Sequence, residues 1–122
     1  CALILGGYYD LPRIDDSVSL QKRVDAILAD RESKHPLEYP SAGSVFKNPP
    51  GHSSWKLVND AGLKGYAIGG AQVSEKHTNF IINRGDATSA EIRALVEYIK
   101  NAVSQKYSIE LHTEIRMIGD FH

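Results

Sequence analysis

The chain holds a single cysteine, Cys1, so no disulfide can close within it, and the fold is compatible with a reducing cytoplasm. An excess of basic charge is missing too: 14 Lys and Arg stand against 15 Asp and Glu, with a net charge of -1. With no Lys/Arg-rich run, nothing in the sequence grips a phosphate backbone, and a nucleic-acid partner is not expected. No apolar run approaches the roughly 18 residues of a membrane span. The opening Cys1-Ala2-Leu3-Ile4-Leu5 lacks the basic flank of a signal peptide, so membrane insertion is not expected. His35, His52, His77, His112 and His122 show no short ligand spacing, and no metal is assigned. Gly6-Gly7 and Gly69-Gly70 each follow an apolar run but do not extend into a dinucleotide or P-loop pattern, and they read as turn or bulge glycines.

What is present is enough apolar material, 42% of residues, for one compact domain of two layers. The start without methionine, in an apolar strand-like run, suggests a segment of something longer. Residues 1–11 read as a short strand ended by Pro12, and Asp15-Asp16 can cap a following helix. Leu20, Val24, Ile27 and Leu28 fall on one face at helical spacing, which predicts an amphipathic helix over 18–33, terminated by His35-Pro36. Residues 35–53, rich in proline, glycine and small polar residues, read as an ordered loop. Ser53 or Ser54 caps a short helix through Trp55, Leu57, Val58 and Ala61, with Gly62 as its left-handed stop. Residues 66–73 and 80–83 read as β segments around the polar turn Ser74-Glu75-Lys76-His77. Thr88-Ser89-Ala90-Glu91 has the form of a capping box, and Ile92, Leu95, Val96, Ile99 and Val103 mark the core face of a second long helix. Over 108–119, Ile109, Leu111, Ile115 and Met117 alternate with Glu110, His112, Glu114 and Arg116, as in a strand with one core face. Together these predict a single α+β domain over residues 1–122, a sheet-and-helix layer pair with two long helices.

The stretch from Pro40 to Pro50 places a hydroxyl (Ser44), an amine (Lys47) and an amide (Asn48) within five residues, braced by glycine and prolines. A plain reading is a turn in which Ser44 bonds the backbone and Lys47 is solvated. The functional reading is a rigid loop that holds reactive groups. Glu114 and Arg116, two apart on a strand, can jointly address a carboxylate, Arg116 neutralising charge and Glu114 hydrogen-bonding or shuttling a proton. An exposed, solvated charge pair explains them as well. A serine hydrolase using Ser44 with His112 would need an oriented base and an oxyanion hole that the sequence does not disclose.

Three ordered segments narrow these alternatives. Arg31-Glu32-Ser33-Lys34-His35-Pro36-Leu37-Glu38-Tyr39-Pro40 leads into Ser41-Ala42-Gly43-Ser44-Val45-Phe46-Lys47-Asn48-Pro49. Ala61-Gly62-Leu63-Lys64-Gly65 precedes Gly69-Gly70-Ala71-Gln72-Val73-Ser74-Glu75-Lys76-His77 and Phe80-Ile81-Ile82-Asn83. Leu111-His112-Thr113-Glu114-Ile115-Arg116-Met117-Ile118-Gly119 completes the order. Over about residues 20 to 120 the chain resembles the UDP-N-acetylenolpyruvoylglucosamine reductases, and its closing Glu-Ile-Arg resembles their shorter subtype.

The resemblance implies the C-terminal, substrate-binding domain of a cytoplasmic flavoenzyme of peptidoglycan synthesis, serving cell-wall biogenesis, cell shape and division. Such an enzyme uses FAD and NADPH to reduce the enolpyruvyl ether of a UDP-sugar, giving UDP-N-acetylmuramate. Ser44 matches the family's proton-donating serine and Glu114 its catalytic glutamate, while Arg116 matches a position that contacts the substrate carboxylate. Lys47, Asn48, Gln72, Lys76 and His77 fall in substrate-lining segments. The family's flavin-binding region has no counterpart here, so the implied partners are the UDP-sugar and a flavin-binding domain of the same parent chain, and the isolated chain is expected to be inactive. The competing class is a non-catalytic module that binds a UDP-sugar or a protein.

Overall fold

The computed structural model describes residues 4–13 and 15–119. Among them the elements run α1 (Ser17–Lys34), β1 (Ser41–Ser44), α2 (Ser54–Asp60), β2 (Ala67–Ile68), β3 (Ala71–Val73), β4 (Phe80–Asn83) and α3 (Ser89–Tyr107). The chain divides into two compact units, Cys1–Arg31 and Glu32–His122.

In the first unit, residues 4–11 form no regular element, and Ile4, Leu5 and Leu11 are exposed. The strand expected over residues 1–11 is therefore not formed across its described part, and its first three residues lie outside the described ones. An apolar run becomes a strand only when a neighbouring ladder pairs its N–H and C=O groups, and none does so here. Helix α1 forms where the periodicity placed it, and Asp16 Oδ1 accepts the Ser19 N–H at 3.0 Å. Its expected core face is not a core face, however, since Leu20, Val24, Ile27 and Leu28 are all exposed and the helix buries none of its residues.

The second unit is the expected α+β layer pair. Its antiparallel sheet has the order β1-β4-β3-β2. The segment 66–73, read from sequence as one β stretch, is a hairpin in which Ile68 pairs with Ala71 across Gly69-Gly70. Strand β1 arises inside what the sequence marks as loop: Ser41 pairs with Ile82 and Ser44 with Phe80, with a bulge between. Its small residues carry no strand signal of their own, and their order comes from a partner far along the chain.

Leu95, Val96, Ile99 and Val103 of α3 pack with Val45, Phe46, Val58, Ala71, Val73, Ile81 and Leu111 in one core. The start of α3 is closed by the expected capping box: Thr88 Oγ1 accepts the Glu91 N–H at 3.2 Å, and Glu91 Oε2 accepts the Thr88 N–H at 2.8 Å. The Thr88 N–H bond to its ionised form holds the Glu91 carboxylate below the usual range. Helix α2 ends as expected, with Gly62 at φ +79° beyond Ala61. The closing segment is not a regular strand. One antiparallel bridge, Phe46 to Thr113, attaches it to the sheet, although its alternation survives as buried Leu111 and half-buried Ile109 and Ile115 against exposed Glu110, His112, Glu114 and Arg116. Met117, expected on the core side, is exposed because pairing has ended by that point.

Candidate functional site

Ser44 ends β1, half-buried opposite Phe80, and the three residues after it are held from both sides. On one side the Val45 N–H donates to Asn79 O at 2.8 Å. The Asn79 side chain repeats that grip on Phe46, with Oδ1 accepting the Phe46 N–H at 3.0 Å and Nδ2 donating to Phe46 O at 2.9 Å. On the other side the Lys47 N–H donates to His112 O at 2.9 Å and the Glu114 N–H to Val45 O at 2.8 Å. Residues 45–47 thus form a ledge that follows Ser44 directly and on which the backbone of Glu114, distant in sequence, docks through Val45 O. Lys47 and Glu114 are exposed along it, and Arg116 is exposed two residues beyond Glu114. Hydroxyl, amine, carboxylate and guanidinium along two joined segments suit a site that receives an anionic substrate and handles a proton.

Asn48 acts within the fold itself, for its Oδ1 accepts both the Ser54 N–H and the Ser54 hydroxyl at 2.9 Å. It thereby supplies the start of α2 with the cap that the Ser53 side chain does not make. Lys47 and Asn48 line a cavity of about 620 Å³ with Pro49, Pro50 and His112.

Gln72, Lys76 and His77 lie elsewhere on the unit. Gln72 donates to Gly65 O at 2.9 Å and accepts from Arg84 at 2.7 Å, and with Tyr39, Lys76 and Arg84 it lines a cavity of about 420 Å³. Lys76 and His77 also border a third cavity, of about 440 Å³, beside His35, Trp55 and Lys64. The two residues are oriented by Ser74, a buried residue whose Oγ accepts both of their N–H groups. The His77 ring stands edge-on to Phe80 and His35, and burial, followed by the neighbouring His35 charge, lowers its pKa below the ordinary histidine value. The residues singled out in the sequence therefore fall in two groups, Ser44, Lys47, Asn48 and Glu114 along the ledge and its loop, and Gln72, Lys76 and His77 around the β3–β4 turn, while Arg116 stands exposed two residues past Glu114.

Sequence reasoning missed two residues at these places. Arg84 was not singled out, yet its guanidinium lies 5.4 Å from the centre of the Tyr39 ring while it binds Gln72. Asn79 went unremarked at the edge of the apolar run 80–82. A polar residue adjoining a buried strand is the available signal, because burial obliges its amide to find partners.

Among the described residues, no group of three or more His, Cys, Asp or Glu could hold a metal ion, and no helix is long and apolar enough to cross a membrane. The Gly69-Gly70 turn does not fit a flavin pyrophosphate. A Cβ on Gly70 would stand 2.5 Å from Ala87 N, so the turn is pressed onto the approach to α3 and presents no open cradle.

Residues 35–118 match the family model described as "UDP-N-acetylenolpyruvoylglucosamine reductase, C-terminal domain". The UDP-N-acetylenolpyruvoylglucosamine reductase of Listeria welshimeri is 47% identical over 118 residues, which cover 97% of this chain and 39% of that protein. That of Clostridium botulinum strain 657 is 53% identical over 102 residues, covering 84% and 33%. The chain thus spans a third to two fifths of the length of these curated relatives. The crystal structure of UDP-N-acetylenolpyruvylglucosamine reductase from Thermus caldophilus superposes with a TM-score of 0.62 at 34% identity, over 80% of this chain and 34% of that one. With the family model matched across the α+β unit and the ledge that joins Ser44 to Glu114, the chain belongs to the UDP-N-acetylenolpyruvoylglucosamine reductase family, in the part described as its C-terminal domain.

Proposed function

We propose that this chain is the substrate-binding, proton-delivering domain of a cytoplasmic reductase that converts UDP-N-acetylenolpyruvoylglucosamine to UDP-N-acetylmuramate. The observation that supports the reading is the ledge: the backbone of Glu114, which matches the family's catalytic glutamate, is bonded to Val45, the residue that follows Ser44, the match to its proton donor. FAD reduced by NADPH would supply a hydride to the enol ether, and both would be held by a flavin-binding domain in the remainder of the parent chain. This chain's residues have the complementary role. Negative charge develops on the carbon next to the new C–H bond and on its carboxylate, and Arg116 offsets it. Glu114 holds the same end of the substrate by a hydrogen bond. Ser44 gives its hydroxyl proton to the carbon, which a weak acid can do only toward a strongly basic centre held at contact distance. Lys47, three residues on, stabilises the alkoxide left behind. Asn48, Gln72, Lys76 and His77 line the remainder of the UDP-sugar's path.

The test is a Ser44→Ala variant in a full-length reductase carrying this segment. Flavin reduction by NADPH is expected at the wild-type rate, with reoxidation by the enolpyruvyl substrate slowed by about two to four orders of magnitude. Stopped-flow absorbance separates the two steps, and reoxidation at the wild-type rate removes Ser44 from this role. The isolated chain should be colourless after purification, whereas FAD retained stoichiometrically through gel filtration would overturn the division of labour.

A further inference from the structure

We infer that Asn79 is a positioning residue for proton delivery, using its side-chain amide to fix the backbone that carries Ser44; the inference rests on the functional reading above. Strand β4 begins at Phe80, so the ladder to β1 would ordinarily stop at the Ser44–Phe80 pair. Asn79 carries it further. Its carbonyl takes the Val45 N–H, and its side chain then offers Phe46 a donor and an acceptor, as the peptide group of a longer strand would.

Three features make this more than generic core bonding. Asn79 is 5% exposed, so its amide has no water to exchange for Phe46, and a change there leaves buried groups unpaired. Phe46 O also receives the Ser54 hydroxyl at 3.4 Å, and Ser54 is joined to Asn48, so the clamp continues into the remainder of the loop. Finally, the clamped segment is the one on which Glu114 docks, through Val45 O. Asn79 therefore sets the position of Ser44 and Glu114 relative to each other without a side-chain bond to either.

An aspartate at this position keeps the acceptor for the Phe46 N–H but turns a second oxygen toward Phe46 O, so half of the clamp becomes repulsive. In a full-length reductase carrying this segment, Asn79→Asp is expected to leave flavin reduction by NADPH unchanged and to slow reoxidation by the enolpyruvyl substrate about 10- to 100-fold, the scale of a misplacement near 1 Å. The Ser44→Ala background supplies a readout that general damage would not reproduce. With no hydroxyl left to position, Asn79→Asp should slow Ser44→Ala reoxidation by less than about twofold, a strong departure from additivity.

An equal slowing in both backgrounds, or wild-type reoxidation in Asn79→Asp, overturns the proposal. Should Asn79→Asp not fold, Asn79→Ser, which removes the clamp without burying a charge, is read in the same way. Failure of both to fold also overturns it, since Asn79 would then hold the domain and not the donor. If Ser44→Ala alone reoxidises at the wild-type rate, the functional reading has failed before Asn79 is touched, so the two failures are distinguishable.

Discussion

Helices α1 and α3 have 18 and 19 residues, each repeats apolar side chains at helical spacing, and each begins with a side-chain cap. Their fates differ. Leu95, Val96, Ile99 and Val103 of α3 lie in the core, whereas Leu20, Val24, Ile27 and Leu28 of α1 are exposed. The apolar repeat is enough to specify a helix, but burial also needs a facing surface, and for α3 the inner face of β2 and β3 provides one.

The difference is open to direct attack. Leu95→Ala should cost about 2–5 kcal/mol of unfolding free energy by denaturant titration, while Ile27→Ala should fall within about 0.5 kcal/mol of wild type. A multi-kcal/mol loss at Ile27 would break the comparison. The caps sharpen it on a smaller scale. Thr88→Ala should lower global stability by about 1 kcal/mol, whereas Asp16→Ala should reduce helical circular dichroism and leave the unfolding midpoint in place. At the far end of α3, Ser108 sits in the left-handed region at φ 55°, so Ser108→Gly should stabilise by about 0.5 kcal/mol.

The smallest effect is a slope with pH. The folded state of the α3-bearing unit holds the His77 pKa below the ordinary value near 6.5. Below that value the unfolded chain takes up a proton that the folded one resists, so stability is lost as pH falls from about 7 toward the folded pKa. His77→Gln should flatten this slope in thermal melts across pH 5 to 7.5, and an unchanged slope would assign it to other groups.

Sequence disclosed the elements whose signals are local. The capping box at Thr88, the stop at Gly62 and the alternation from Ile109 to Arg116 each depend on neighbours within a few residues, and each is present. What it did not disclose depends on distant partners. Strand β1 is ordered by β4, far along the chain, whereas the turn at Gly69-Gly70, read from its glycines, is present as the bend of the β2–β3 hairpin. At the site, the family resemblance brought out Ser44 and Glu114, but the ledge joining them depends on Asn79, whose part is visible only once Phe46 lies beside it.

The Asn79 clamp also changes how the sheet margin can be lost. A ladder made of peptide groups survives almost any substitution, because every residue except proline brings the same donor and acceptor. Here one stretch of the margin is written in side-chain chemistry, so a single base change in the gene can erase it while length, hydrophobicity and helix pattern stay the same. A relative altered at this position would still be recognised as a member of the family, yet its proton-delivering loop would have to be held by some other means.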